Sequence, residues 1–284
     1  MAPNSTAAID IAELKHARPR HFGRWFSAAL LASCLLYIVW AFATGNIDWS
    51  TVGAYLFHPR ILWGVVMTIL ISVVSMAIGV VIGTLVALGR SSRNPVILSS
   101  AAFYTWLFRG APILLQLLIW YNLALIFPVI GILGIWHVNT VMVMTPVVAA
   151  IIAFSLHEGA YTSEVIRSGL LSVDAGQHEA AKSIGMSYGM TFRRIVGPQA
   201  LRVVVPPLGN EFIGLLKMSA LASVIGFLEL TGTVQDIYYV NAKIMEMLFV
   251  ATAWYLVVVS IFSAGQYWLE KRLGRGFVYG GKHG

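Results

Sequence analysis

The chain has 284 residues, of which 58% are hydrophobic and only 11% are charged. Soluble domains carry about 25% charged residues, so this composition argues against an ordinary soluble enzyme and indicates a polytopic membrane protein. The net charge of +7 is compatible with nucleic-acid binding, but the positions of the basic residues favour an orientation signal in a membrane instead.

Apolar segments, most of them near the roughly 20 residues needed to cross a bilayer, follow one another along the chain. We predict six spans, at 25–44, 61–88, 113–127, 141–166, 203–230 and 245–267. The first span follows a basic tail, residues 1–24, and is longer than the apolar part of a signal peptide, so it is expected to remain in the protein. The segment 96–108 is expected to lie partly along the membrane interface, because Arg109-Gly110-Ala111-Pro112 interrupts the helical pattern.

The basic residues are distributed unequally between the two sides that six spans define. Fifteen Lys and Arg residues lie on the side of the N-terminus, and only Arg60 and Lys243 clearly lie opposite. Cytoplasmic loops of membrane proteins carry an excess of Lys and Arg. Both termini, including the basic tail 274–284, are therefore predicted to be cytoplasmic.

Small residues recur at every fourth position within the second span: Ser75, Gly79, Gly83 and Ala87. This spacing places them on one helix face, where small side chains allow another helix to approach closely. Gly79 and Gly83 are the predicted packing positions. The alternative is that small residues are simply common in membrane spans.

The longest polar interruption, the insert at 170–201, lies between the fourth and fifth spans. Asp174 is suited to cap a helix, and Gly185 is suited to end it with a left-handed backbone conformation. A second short helix is expected at 188–195, stopped by Gly197-Pro198. A short helix with alanines on its face is suited to docking into another protein, whereas the simpler interpretation is a cytoplasmic loop with a helical turn.

The insert resembles the loop of ABC-importer permeases that carries the EAA motif, and the resemblance extends beyond it. The similar stretches are 107–116, 160–167, 176–181, 198–202, 206–210 and 216–217. Together they span about 61–273 and are similar to the type I permeases that import polar amino acids such as histidine, glutamine and arginine.

The resemblance implies an all-α integral membrane protein, with a five-span type I permease core at 61–273 after an additional N-terminal span at 25–44. It implies a transporter subunit, not an enzyme, that forms the translocation pathway of an ATP-driven importer for polar amino acids or close analogues in the bacterial cytoplasmic (inner) membrane. The implied partners are two cytoplasmic ATP-binding subunits, a second permease chain that is identical or homologous, and a periplasmic or lipid-anchored substrate-binding protein. Membrane lipid is expected around it, and no nucleic acid, cofactor or metal is expected.

Candidate site residues fall into two groups. The resemblance places ATPase coupling at Gly176, Gln177, Glu179, Ala180, Ala181, Gly185 and Pro198. Polar residues within spans are functional hypotheses by default, and the candidate pathway residues are Tyr161, Glu164, Asn210 and Lys217. Glu164 could instead pair with Arg167, three residues further on.

Two positions depart from the subfamily pattern. Met218 follows Lys217 where an acidic residue is usual, and His178 stands in the insert where an aromatic residue is common. The first departure puts in doubt any function that needs an acid beside Lys217.

A near match to a nucleotide-binding loop occurs at 276–283, but a histidine replaces the Ser or Thr that would bind magnesium. Any ATPase is therefore expected on a separate chain. The main alternative function is an ion-coupled carrier or channel with Glu164 and Lys217 as coupling groups, although no pair of related halves is evident. A membrane scaffold or receptor that signals through the insert is a second alternative.

Overall fold

The computed structural model describes residues 22–132 and 136–273, and these residues are mostly helical. They divide into two units, one ending at Asp48 and one beginning at Trp49, which are described separately. Most of the predicted basic tail 1–24, the whole of the tail 274–284 and the nucleotide-loop-like segment 276–283 lie outside the described residues.

The first unit contains helix α1 (Phe22–Thr44). It is long enough and apolar enough to cross a membrane, and all of its residues are exposed. A helix that is apolar on all sides is typical of a membrane span. The predicted span 25–44 lies within it.

The second unit consists of eleven helices and one hairpin within the described residues. The helices are α2 (Trp49–Leu56), α3 (Pro59–Arg90), α4 (Pro95–Gly110), α5 (Ile113–Tyr121), α6 (Thr140–Val143), α7 (Pro146–Leu171), α8 (Ala175–Ser183), α9 (Tyr188–Thr191), α10 (Gly197–Met218), α11 (Leu230–Asn241) and α12 (Ile244–Leu273). A 3₁₀ turn, Leu123–Leu125, follows α5, another, Ser219–Ile225, follows α10, and a π turn, Phe192–Val196, precedes α10.

The hairpin pairs β1 (Val129–Ile132) with β2 (Trp136–Asn139) in antiparallel register, with Ile130 opposite Val138. It occupies the turn that the sequence places outside the membrane, between α5 and α7. An outer turn is therefore partly extended in an otherwise helical chain.

Three long helices begin in the same way, with a side-chain cap followed by proline. His58, Asn94 and Thr145 each accept a hydrogen bond from a backbone N–H in the first turn, and Pro59, Pro95 and Pro146 follow. Proline suits this position because its fixed φ is helical and its missing N–H has no partner there in any helix. These pairs define where α3, α4 and α7 start.

The interruption between α4 and α5 is a bend of 101°. Ala111 is extended, as the residue before a proline usually is, and Pro112 follows it. The side-chain amide of Gln116 donates to the carbonyls of Phe108, at 3.0 Å, and Ala111, at 2.9 Å. Gln116 is buried, so these bonds hold the bend in one geometry and set α4 crosswise to α5.

Helix α7 is central, because α3, α4, α5 and α10 all pack against it. Its approach to α3 is very close: a Cβ added at Gly79 would lie 2.8 Å from Cβ of Glu158, and one at Gly83 would lie 2.0 Å from the hydroxyl of Thr162. That hydroxyl also donates to the carbonyl of Gly79, at 3.1 Å. All four regularly spaced small residues of α3 are buried.

Two apolar cores flank this crossing. The first core contains Ile61, Val65, Leu216, Leu230, Val234, Ile237, Met247, Val250, Ala251 and Val258. The second contains Ile71, Leu117, Ala149, Ala150, Ala153, Phe154, Leu215, Ala222, Ile225 and Phe227. The first joins α3, α10, α11 and α12, and the second joins α3, α5, α7, α10 and the turn after α10.

Glu229 fixes the start of α11 while fully buried. Its carboxylate accepts hydrogen bonds from the backbone N–H groups of Thr231, at 2.9 Å, and Gly232, at 2.8 Å. It also accepts from the hydroxyls of Thr68 on α3, at 3.2 Å, and Tyr255 on α12, at 2.8 Å. A negative charge suits the N-terminus of a helix, so one side chain ties three helices together.

Four helical segments are long and apolar enough to cross a membrane: α1, α3, the continuous segment Tyr188–Ile225, and α12. The bent pair α4 and α5 raises the number to five. Helix α7 has 26 residues but is more polar than these. The predicted count of six, which includes α7, remains a prediction.

Replacing Gly83 with Ala is expected to destabilise the protein, because the new methyl group overlaps the Thr162 hydroxyl where α3 meets α7. Overpacking of this kind costs about 1–3 kcal/mol. The measurement is the thermal unfolding midpoint of the detergent-solubilised protein. Gly265→Ala, within α12 and with open space around its Cβ, is the matched control. A Gly83→Ala midpoint equal to that of the control would contradict the close approach.

Candidate functional site

Helix α8 forms the centre of the predicted insert and begins at a side-chain cap. Asp174 precedes it, and its carboxylate accepts a hydrogen bond from the N–H of Gly176 at 2.7 Å. This bond satisfies a donor that the helix itself leaves free. The predicted cap is confirmed.

The end of α8 is equally well defined. Gly185 has a φ of +76°, a conformation that costs glycine little and other residues considerably more. Its N–H donates to the carbonyl of Lys182, and the next N–H, of Met186, donates to the carbonyl of Ala181, both at 3.0 Å. These two bonds form a Schellman motif, so the insert contains a short helix with fixed ends and not a loose helical turn.

Most of the predicted coupling residues lie on the exposed surface of this helix. Gly176, Gln177, Glu179, Ala180, Gly185 and Pro198 are exposed, whereas Ala181 is buried. Gln199, at the start of α10, donates to the side-chain oxygen of Gln177 at 3.4 Å. Helix α8 therefore presents one face outward and is anchored to α10 on its other side.

The predicted stop at Gly197-Pro198 is wrong. Gly197 has helical backbone angles and its N–H donates to the carbonyl of Phe192, five residues earlier, so the π turn leads directly into α10, in which Pro198 is the second residue. The chain passes from α9 through the π turn into α10 without a break, as one helical segment, Tyr188–Ile225. The extra residue of the π turn absorbs the change in register that Gly-Pro would otherwise produce.

Glu164 lies among three arginines near the end of α7. Its carboxylate is 3.6 Å from Arg90, 3.9 Å from Arg109 and 3.9 Å from Arg167. The anticipated pair with Arg167 is therefore present, but it is one part of a cluster that joins α3, α4 and α7. One acid facing three bases leaves an excess of positive charge at this end of the helices.

Tyr161 and Arg109 form the other wall of the same region. The guanidinium of Arg109 lies 5.1 Å from the centre of the Tyr161 ring, a cation–π distance. Both residues line an open cleft of about 410 Å³ together with Arg90 and Trp106. The structure thus brings the predicted residues Tyr161 and Glu164 together at one site.

Asn210 and Lys217 lie apart from this cleft, on α10, and both are exposed. They share a helix face with Gly214, which has open space around its Cβ. Lys217 forms no ion pair with any described residue. An exposed polar strip on a membrane helix needs water, a substrate or another chain beside it.

Two further acids, Glu158 and Glu211, are not among the predicted site residues. Glu158 is fully buried beside Gly79, and neither of its carboxylate oxygens has a hydrogen-bond partner among the described residues. Glu211 is partly exposed on α10, next to Asn210. The signal was available, since Glu158 is an acid within a predicted membrane span, 141–166, where an ionisable residue is a functional hypothesis by default. Among the described residues, no group of His, Cys, Asp and Glu could hold a metal ion.

Comparison with known proteins identifies the class of protein. Residues 79–275 match the family model described as binding-protein-dependent transport system inner membrane component. The arginine transport system permease protein ArgU of Corynebacterium glutamicum is 41% identical over 264 residues, covering 92% of this chain and 83% of that protein. The nopaline transport system permease protein NocM of Agrobacterium fabrum is 37% identical, covering 76% of this chain and 90% of that protein.

Solved structures agree with the family match. A crystal structure of an amino acid ABC transporter with histidines has a chain that is 34% identical, with a TM-score of 0.70, covering 80% of this chain and all of that chain. A chain of the MetNI methionine ABC transporter, 17% identical with a TM-score of 0.56, covers 78% of this chain and 97% of that chain and shares the fold.

The chain therefore belongs to the family of binding-protein-dependent transport system inner membrane components. This confirms the resemblance to ABC-importer permeases. The protein is a multi-pass membrane subunit of a transporter and not an enzyme, and its fold is that of the type I permeases.

Replacing Glu164 with Gln is expected to lower stability by about 1 kcal/mol, since partly exposed ion pairs contribute on this scale and three arginines would remain without their shared acid. Added salt should weaken the wild-type protein more than the variant, because salt screens the attraction that only the wild type has. The measurement is the unfolding midpoint over a series of salt concentrations.

Glu270→Gln removes one acid from α12 that forms no ion pair with a described residue, so it serves as the control. In the double variant Glu164→Gln with Arg90→Gln, part of the lost stability should return, because one of the unpaired charges is gone. Equal midpoints for wild type and Glu164→Gln at low salt would refute the cluster as a stabilising contact.

Proposed function

We propose that this permease is the membrane subunit of an ATP-driven importer of polar amino acids, with α8 as the element that receives the ATPase. The observation that carries the proposal is the exposed α8, fixed at both ends and placed between the two long helices α7 and α10. A helix held in this way transmits a push as a rigid body, which a flexible loop cannot do. Membership of a binding-protein-dependent transport family supports the same role.

Coupling is proposed to run through the exposed face of α8. Glu179 and Ala180 contact the ATPase, and the ends at Gly176 and Gly185 hold the helix at a fixed length and angle. Ala181 faces inward, while Gln177 and Pro198 keep α8 in register with α10. The insert at 170–201 is thus proposed to move together with the span that follows it.

The translocation pathway is proposed to follow the polar strip of α10, with Asn210 and Lys217, and the cleft with Tyr161 and Glu164. Each is partly or fully exposed in a segment assigned to the membrane, so each needs a polar neighbour. Gly79 and Gly83 do not line the proposed pathway; they support it indirectly, by allowing α7 to pack closely against α3. Arginine and its analogues are the first substrates to test, because the relatives named above include an arginine and a nopaline system.

The assembly is proposed to contain two cytoplasmic ATPase subunits, a second permease chain, and a periplasmic or lipid-anchored binding protein. The second permease is identical or homologous and covers the polar strip of α10. Both termini are cytoplasmic, in accordance with the excess of Lys and Arg on that side. The core is 61–273, and the first span, 25–44, is an addition to it.

Gly185→Pro is expected to abolish uptake while the chain remains in the membrane. Proline cannot adopt the φ of +76° found at this position, so the end of α8 must change shape. Gly185→Asn is the matched control, because asparagine tolerates the left-handed conformation, and it should retain most uptake. The measurement is accumulation of labelled arginine, and of other polar amino acids, in vesicles containing the purified ABC complex with its binding protein.

Copurification separates loss of coupling from loss of assembly. The tagged wild-type chain should purify with ATPase subunits, and Gly185→Pro should lose them or lose substrate-stimulated ATP hydrolysis. Normal uptake by Gly185→Pro would contradict the assignment of α8 as the element that couples the ATPase to transport. Wild-type chains that purify alone and still move substrate without ATP would instead establish an ion-coupled carrier.

Lys217→Ala is expected to change the KM or the rate of uptake, because a charge would disappear from the face of α10 proposed to line the pathway. Lys271→Ala, at the exposed end of α12, removes the same charge away from that face and should leave transport unchanged. The measurement is the concentration dependence of uptake in the same vesicles. Kinetics identical to wild type would return Lys217 to a structural role.

A further inference from the structure

A groove lies at the joint between α3, α7 and the segment that leads from α9 into α10. It consists of two adjoining cavities, of about 460 Å³ and about 170 Å³. The residues common to both cavities are Leu88, Leu170, Tyr188 and Phe192. The two cavities therefore form one continuous groove.

The groove changes from apolar to polar along its length. The larger cavity extends between the helices and is lined by residues such as Val80, Leu201 and Leu208. The smaller cavity lies towards α8 and adds Ser91 and His178 to the lining. An amphiphile with an apolar tail and a polar head would match this gradient.

Four basic residues lie close in sequence to residues that line the polar end. Arg193 and Arg194 follow the lining residue Phe192, Arg93 lies two residues after Ser91, and Lys182 lies one helical turn from His178 on α8. All four are exposed, and none forms an ion pair with a described residue.

Acids near this end are fewer. Asp174 caps α8, Glu179 follows His178 on the exposed surface, and Glu164 is already engaged with three arginines. The excess of basic residues favours an anionic head. Basic pockets between membrane helices on the cytoplasmic side commonly bind lipid headgroups.

The groove lies on the side of α10 away from the proposed pathway. Each residue turns a helix by about 100°, so Val204, which lines the groove, is about 120° from Asn210 and about 140° from Lys217. The groove therefore faces away from the polar strip that a second permease chain would cover. Leu88 and Leu201 in its lining are exposed apolar residues, so the groove opens at the apolar surface of the described residues.

The wall of the groove includes the π turn. Phe192 and Val196 both belong to it and both line the groove, and Gly197 follows as the first residue of α10. Single π turns within helices occur frequently at functional sites. Here the wider turn carries Phe192 into the lining of both cavities.

We propose that this groove binds one anionic phospholipid of the cytoplasmic leaflet, with an acyl chain between α3, α7 and α10 and the phosphate beside Arg193, Arg194 and Lys182. The location in that leaflet rests on the orientation proposed above. The lipid joins α8 to the start of α10, so its presence would stiffen the joint that coupling uses and make transport depend on anionic lipid.

The test measures lipid binding directly, by native mass spectrometry of the complete ABC complex titrated in detergent with phosphatidylglycerol or with phosphatidylcholine. Phosphatidylglycerol should bind more tightly. Thr84→Trp, which fills the apolar part of the groove, and Arg193→Gln with Arg194→Gln, which removes charge from its mouth, should each weaken its binding by about tenfold or more.

Matched controls keep each substitution outside the groove. Val81→Trp places the same side chain at an exposed position of α3 that does not line the groove. Lys271→Gln with Arg272→Gln removes the same charge from α12. Both controls should bind phosphatidylglycerol as the wild type does. Equal binding of the two lipids, or equal effects of variants and controls, would overturn the proposal.

A photo-crosslinking residue at Leu201 identifies the occupant. Crosslinking to phospholipid supports the proposal, and crosslinking to a second permease chain overturns it, as does full displacement of the lipid by inorganic phosphate alone. Lys217→Ala distinguishes this proposal from the transport role, because it changes the face of α10 away from the groove and should alter uptake while it retains lipid binding. Failure of lipid binding alone would leave the transport role intact.

Discussion

The close approach of α3 to α7 is the constraint on which the rest of the structure depends. Without side chains at Gly79 and Gly83, the backbones come near enough for Thr162 to donate to a carbonyl of the opposite helix. This contact buries the polar side of α7, including Glu158, away from lipid. A helix with that many polar groups is expensive to expose to hydrocarbon, so it occupies the centre of the bundle, where α4, α5 and α10 also cover it.

The central position of α7 determines the direction in which its C-terminal end leaves the bundle. Glu164 meets arginines from two other helices there, so α7 leaves the bundle with a fixed direction, and α8 begins only a few residues later at Asp174. The chain returns through α9 and the π turn into α10 without interruption. The insert is consequently a helical connection between two packed helices, α7 and α10. The packing of these helices determines which face of α8 is exposed.

Much of this could be predicted from the sequence, and the exceptions have physical causes. Asp174 and Gly185 were recognisable because caps depend on local backbone geometry, which a few residues encode. The predicted end of the second helix was wrong because Gly-Pro usually breaks a helix, whereas here a π turn directly before it lets the chain continue into α10. The arginines around Glu164 were missed, apart from Arg167, because the partners come from distant segments, and sequence spacing reports only neighbours on the same helix.

The helical segment is continuous from Tyr188 to Ile225. The coupling proposal depends on this continuity, because it lets a movement of α8 be transmitted to α10. A displacement of α8 reaches α9 through the Schellman turn at Gly185 and reaches α10 directly through the bond between Gln177 and Gln199. Both routes end on the helix that carries Asn210 and Lys217, so in the proposed mechanism a movement of α8 would rotate or shift the polar strip of α10. The route through α9 passes through the π turn, Phe192–Val196, a kind of turn that is frequent at functional sites. The proposed acyl chain would pack against Phe192 of this turn, so the lipid would contact the same segment that links α8 to α10.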